Sequence, residues 1–183
     1  MRRFTQLACL FTLVSLTFVQ PISAQAMKGS KAAGVDAGVF FPDEAFEKTL
    51  TIDAFGEYYL TPNISLRGLF GWASPGVENR TEDHFRQVHL LFNGLYSWSG
   101  NQWHPYVTAG AGAYFLRQIF ENAEDPDSEV RGGINFGGGV EYFLDQNSTS
   151  MFKVELRFDV VTHPEGFPDA TGVTLTFGYK RFF

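Results

Sequence analysis

Lys153, Glu155, Arg157 and Asp159 alternate in sign at every second position. Phe152, Val154, Leu156, Phe158 and Val160 occupy the intervening positions. A helix would spread these charges around its circumference. A strand gathers all four on one face, about 7 Å apart, within about 5 Å of partners on adjoining strands. Two kinds of chemistry suit such a face. The charges can neutralise one another as an ion-pair plug, or they can line a polar path for ions or small solutes. The same parity elsewhere adds Asp36, Asp53, Glu57, Glu141, Arg67 and Lys180. Six acids then face four bases, near enough to balance that they can pair inside a narrow space. Buried charges demand such partners.

Other chemistry is poorly provided for. The histidines are His84, His89, His104 and His163, and none sits in a His-x-Ser motif. A hydrolase would need Ser, His and an acid within hydrogen-bond reach. No catalytic residue is assigned, and the chain is read as non-enzymatic. His89 shares the parity of the charged face and is read as an interior side chain. Gly110-x-Gly112 and Gly137-Gly138-Gly139 precede no helix. They read as small residues in a narrow space, not as phosphate loops. No His/Cys/Asp spacing suggests zinc. Glu124-Asp125-Pro126-Asp127-Ser128-Glu129 lacks the spacing of a calcium loop. Neither cofactor nor metal is expected. The formal charge of −6 argues against nucleic acid as a partner.

Charged faces of this kind need strands to carry them. After residue 30 no run of 18 apolar residues occurs, and period-two alternation recurs in segments of about ten residues. The alternation predicts eight strands at 33–41, 49–60, 64–73, 85–98, 104–117, 131–144, 150–161 and 172–183. No helical pattern interrupts them, so consecutive antiparallel hairpins are the simplest topology.

The first 26 residues are of another kind. Arg2 and Arg3 precede an uncharged apolar run from Leu7 to Val19, and Ala24-Gln25-Ala26 is a small-x-small box. Residues 1–26 therefore read as a cleaved signal peptide, and 27–183 as one domain. Cys9 lies within the apolar run, so the mature chain has no Cys and no disulfide. The mature chain has 157 residues; its 12 Lys+Arg face 20 Asp+Glu, a net charge of −8.

Three features favour a membrane barrel, apolar face outward, over a secreted soluble sandwich. The polar faces hold Gly, Thr and paired charges. Connections alternate in length: 61–63, 99–103 and 145–149 are short, while 42–48, 74–84, 118–130 and 162–171 are longer. Aromatics gather at strand ends, with Tyr58, Tyr96, Trp98, Trp103, Tyr142 and Phe183 at the short-turn end. Phe41, Trp72, Phe85, Phe115 and Phe120 gather at the other. Unpaired backbone groups in lipid cost several kcal/mol each, so the sheet must close. Eight strands leave an interior just wide enough for side chains to fill. The longer connections hold 13 acids and two bases, or −11, which leaves +3 for the rest of the mature chain.

Over residues 31–183 the chain resembles the small eight-stranded outer-membrane barrels of Gram-negative bacteria, the OmpA-transmembrane-domain and OmpX-like group. The resemblance rests on Pro105-Tyr106-Val107-Thr108-Ala109-Gly110-Ala111-Gly112, Asn135-Phe136-Gly137-Gly138-Gly139-Val140-Glu141-Tyr142, Glu155-Leu156-Arg157 and the terminal Phe183. It implies an all-β, eight-stranded antiparallel up-and-down transmembrane barrel in the outer membrane. It also implies that Gly178, Tyr179 and Phe183 form an assembly signal for the barrel-assembly machinery. Arg181 departs from that signal, since an apolar residue is usual there. Arg86 and Arg117 carry outward parity at the long-loop ends of their strands. In an outer membrane that sets them near lipopolysaccharide phosphates, which arginine binds in bidentate fashion.

The expected partners are outer-membrane lipid, lipopolysaccharide and the assembly machinery, with the barrel a monomer. The functional expectation is a non-enzymatic envelope barrel with a charge-filled lumen and acidic outer loops. The alternatives are a narrow porin or solute channel, and a surface adhesin or host-interaction protein.

Overall fold

The computed structural model describes residues 28–42, 48–74, 76–77, 80–98, 100, 102–119, 128–144, 149–162 and 171–183. The signal-peptide expectation, the tips of the long connections and the acidic run from Glu124 to Asp127 lie outside them.

Eight antiparallel strands close into a barrel. They are β1 (Lys31–Pro42), β2 (Thr49–Tyr59), β3 (Ile64–Ala73), β4 (Arg80–Ser97), β5 (Trp103–Ile119), β6 (Ser128–Phe143), β7 (Ser150–Val161) and β8 (Gly172–Phe182). Each pairs with its sequence neighbours, and β8 pairs with β1 to close the ring. A two-residue segment, Gly76–Val77, adds a short rung against β4.

Alternation sets the two faces. In β7, Met151, Lys153, Glu155, Arg157, Asp159 and Val161 are buried, while the residues between them are exposed. β2 repeats this, with Thr51, Asp53, Phe55, Glu57 and Tyr59 inward. Outward parity carries exposed Leu50, Ile52, Phe70, Phe92, Ile134 and Phe136. An apolar outer wall around a polar interior inverts the order of a soluble barrel.

Local chemistry fixes the turns. Leu60 N–H donates to the Ile64 carbonyl at 2.9 Å. Thr61 Oγ1 accepts from the Ile64 N–H at 2.9 Å, a side-chain turn that Pro62 stiffens. Asn63 Nδ2 donates to the Ser97 carbonyl at 2.8 Å, tying this turn to β4. Outward aromatics meet at the short-turn rim. The rings of Tyr96 and Trp98 lie 5.1 Å apart edge-to-face, and those of Trp103 and Tyr142 lie 4.6 Å apart.

The ladders run further on the long-loop side than the alternation predicts. β4 starts at Arg80, β5 ends at Ile119 and β6 starts at Ser128. The added residues are mostly polar in sequence, and backbone pairing carries on to His84 opposite Ile119 and to Ser128 opposite Arg117, since a paired N–H or C=O gains a partner whatever its side chain. Arg86 and Arg117 pair with each other two residues short of His84 and Ile119, the last pair described between β4 and β5.

Candidate functional site

The barrel interior is where the charged residues meet. Toward the short-turn end, Arg67 on β3 crosses to Glu155 on β7, four strands away in the ring of eight, at 2.5 Å. Its guanidinium also grips Glu57 at 2.6 Å, and Glu141 lies 3.9 Å off. Lys180 on β8 reaches Glu57 at 2.9 Å and Glu141 at 2.5 Å, and donates to Tyr59 Oη at 2.9 Å. Lys153 reaches Asp36 at 2.8 Å and Glu155 at 3.2 Å, with its ammonium 4.3 Å from the Phe55 ring centre. Tyr106 Oη donates to Glu155 at 2.6 Å. A second group lies further along the barrel. Arg157 pairs with Asp53 at 3.0 Å and Asp159 at 3.1 Å. His89 Nε2 lies 3.3 Å from Asp53, and Tyr114 Oη donates to Asp159 at 2.8 Å.

Many of these contacts skip a strand, and an inward glycine makes room for them. Gly178 stands opposite both Asp36 and Lys153, and their ion pair passes over it. Gly71 stands opposite both Asp53 and His89. Gly139 separates Tyr106 from Glu155, and Gly110 separates Asn93 from Asn135, whose amides bond at 2.5 Å. Cα atoms on alternate strands are roughly 10 Å apart. A glycine on the strand between leaves that gap clear, so the side chains on either side of it meet directly over the backbone. A Cβ on Gly178 would collide with the Asp36 carboxylate, and one on Gly71 with His89 and Asp53.

All ten expected lumen charges, Asp36, Asp53, Glu57, Arg67, Glu141, Lys153, Glu155, Arg157, Asp159 and Lys180, are buried inside the ring. The alternation left out two kinds of interior residue. Arg131 is buried, bonds Glu129 and donates to the Thr162 carbonyl at 3.2 Å, adding a base. Counting back in twos from Asn135 would have found it. Leu69, Leu91 and Leu116 also point inward, clustering with Phe55, Tyr114 and Val161 as an apolar plug. Among the described residues no group of three or more His, Cys, Asp or Glu could hold a metal ion.

On the outer wall, Arg86 and Arg117 are exposed and stand directly opposite each other on β4 and β5. Like charges so placed repel, and an anion between them would relieve the repulsion. At the C-terminus, Gly178 serves the interior, as above. Tyr179 faces outward and its Oη lies 2.7 Å from Ser150 Oγ. Phe183 is 77% exposed.

Comparison with solved structures agrees with this geometry. The N-terminal β-barrel domain of Pseudomonas aeruginosa OprF has a TM-score of 0.62 and 17% identity, with 86% of this chain and 100% of that one covered. Neisserial surface protein A gives 0.68 and 11%, covering 85% and 97%. The outer membrane protein OprG of Pseudomonas aeruginosa gives 0.68 and 12%, covering 88% and 99%. Identities this low carry the fold alone. No curated protein is similar at a significant level. The model of the outer membrane protein beta-barrel domain matches residues 9–180. The chain thus belongs to the outer membrane protein beta-barrel domain family and is a bacterial outer-membrane barrel.

Proposed function

We propose that this barrel is a non-enzymatic element of the outer membrane whose lumen is closed to solutes and whose acidic loops face the surroundings. One observation carries the reading: Arg67 and Glu155, from opposite sides of the ring, meet at 2.5 Å in its middle. The cross-section there is occupied by side chains bonded to one another. Tyr106 braces Glu155 from a third direction, and Lys180 ties Glu57 to Glu141. Solute passage would require several buried ion pairs to separate together, and each buried charge left alone is costly.

The reading extends to the rim. Arg86 and Arg117 grip a phosphate of lipopolysaccharide, while the acids of the long connections repel anions from the mouth. The terminal Phe183, with Gly178 and Tyr179, is read by the barrel-assembly machinery. The barrel works as a monomer.

Planar-bilayer recording from the refolded protein tests the central claim. The expected result is no steady conductance above the bare membrane. Steady, large single-channel steps would overturn it and favour a narrow porin.

A further inference from the structure

A groove of about 700 Å³ opens between β1, β2, β3 and β4. Its floor is one rung of the ladder: Ala33 stands opposite Gly56, and Gly56 opposite Gly68. Gly94 lies beside it, opposite Leu66. All carry outward parity, which most of the wall fills with Phe, Leu, Ile or Val. No heavy atom lies within 4 Å of a Cβ built on Gly56 or Gly94. Glycine inside a strand costs stability relative to a residue with a side chain. The interior glycines repay that by letting ion pairs cross. These outward ones have no such contact, and what they leave is space.

The groove has a direction. Ala33 is two residues in from the start of β1, Gly68 is four in from the start of β3, and Phe92, opposite Gly68, is five in from the end of β4. The rung thus climbs from the short-turn rim into the hydrocarbon layer, and Phe92 closes its upper end. At the lower end Lys31 lines the groove, and Arg181 stands opposite Ala33 on β8. Lys31 and Arg181 face outward as diagonal neighbours, roughly 7–8 Å apart at the backbone. Neither has an ion-pair partner among the described residues.

We infer that this groove holds one acyl chain of an anionic glycerophospholipid of the periplasm-facing leaflet, with Lys31 and Arg181 on its headgroup phosphate. Charge complementarity fixes the occupant. Two unpaired cations sit at headgroup level, and an apolar channel rises from them at hydrocarbon depth. A second copy of the chain fits worse, because a two-fold contact through this face would bring the same cations together. The inference needs only the outer-membrane location, not the closed lumen.

Native mass spectrometry of the full barrel, released from detergent and titrated with phosphatidylglycerol or phosphatidylethanolamine, tests it. The wild type is expected to retain one phosphatidylglycerol in preference to phosphatidylethanolamine. Gly56→Leu with Gly68→Leu fills the floor and should lower retention at least tenfold. Gly132→Leu, at an outward glycine with open space elsewhere on the wall, should leave it unchanged. Lys31→Gln with Arg181→Gln should equalise the two lipids. If the floor double variant does not fold, Gly94→Leu fills the groove from β4 and carries the same expectation. Undiminished retention in a folded, filled variant overturns the inference. So does a wild type without lipid preference, or a wild-type dimer that groove filling abolishes.

Discussion

Lys153 and Asp36 lie on strands that do not touch, yet their side chains meet at 2.8 Å across Gly178 of the strand between them. The glycine, the acid and the base form one unit. A methyl group on Gly178 would land on the Asp36 carboxylate. Gly178→Ala should therefore destabilise the barrel by about 1–3 kcal/mol, the usual cost of overpacking. Gly132→Ala, which adds its methyl to open space, should be neutral or stabilise by up to about 1 kcal/mol. Urea unfolding in phospholipid vesicles, followed by tryptophan fluorescence, measures both. Equal effects would show that the crossing has no energetic weight.

Arg67 holds Glu57 and Glu155 and neighbours Glu141. Arg67→Ala leaves those carboxylates with Lys180 and Lys153 as the cations in contact with them. The expected loss is about 3–5 kcal/mol, as when one partner of a buried pair is removed. A double-mutant cycle with Glu155→Gln should show strong coupling, because the second change removes the charge that the first strands. Additive losses would mean that the two side chains do not act on each other.

Arg86 and Arg117 face each other on the outer wall. Replacing both by Ala should weaken binding of lipopolysaccharide to the refolded barrel about tenfold, roughly 1.4 kcal/mol. Titration of fluorescent lipopolysaccharide at fixed ionic strength is the measurement. Unchanged affinity would reduce the pair to a plain rim charge.

Phe183 is mostly exposed, so its removal forfeits little packing inside the protein. Phe183→Ala should refold into vesicles as the wild type does, yet accumulate several-fold less folded barrel in the outer membrane of cells. Heat-dependent gel mobility distinguishes folded from unfolded chains in both settings. Equal deficits in vesicles and cells would assign Phe183 to stability and not to assembly.

Much of this was legible in the chain. Period-two alternation places Lys153 to Asp159 on one face because only a strand keeps four alternate charges together, and the burial of β7 follows it. Parity likewise puts Tyr106, Tyr114 and His89 inside. Pairing was not legible. Arg67 and Glu155 are 88 residues apart, and which acid meets which base depends on how far each strand slides past its neighbour. The interior glycines were readable as small residues, but not as crossing points, since that role appears only once the register is known. The apolar plug of Leu69, Leu91 and Leu116 was not legible, because an inward leucine flanked by outward apolar residues breaks the alternation that marks the two faces. Strand extension through mostly polar residues leaves no hydrophobic trace and so could not be counted.

The strand-skipping ion pair also bears on timing. β1 and β7 become next-but-one neighbours only after β8 has slotted between them. Until then Asp36 and Lys153 stand at opposite margins of an open sheet. Their bond is accordingly a latch that cannot engage early, and its formation marks the moment at which the ring shuts.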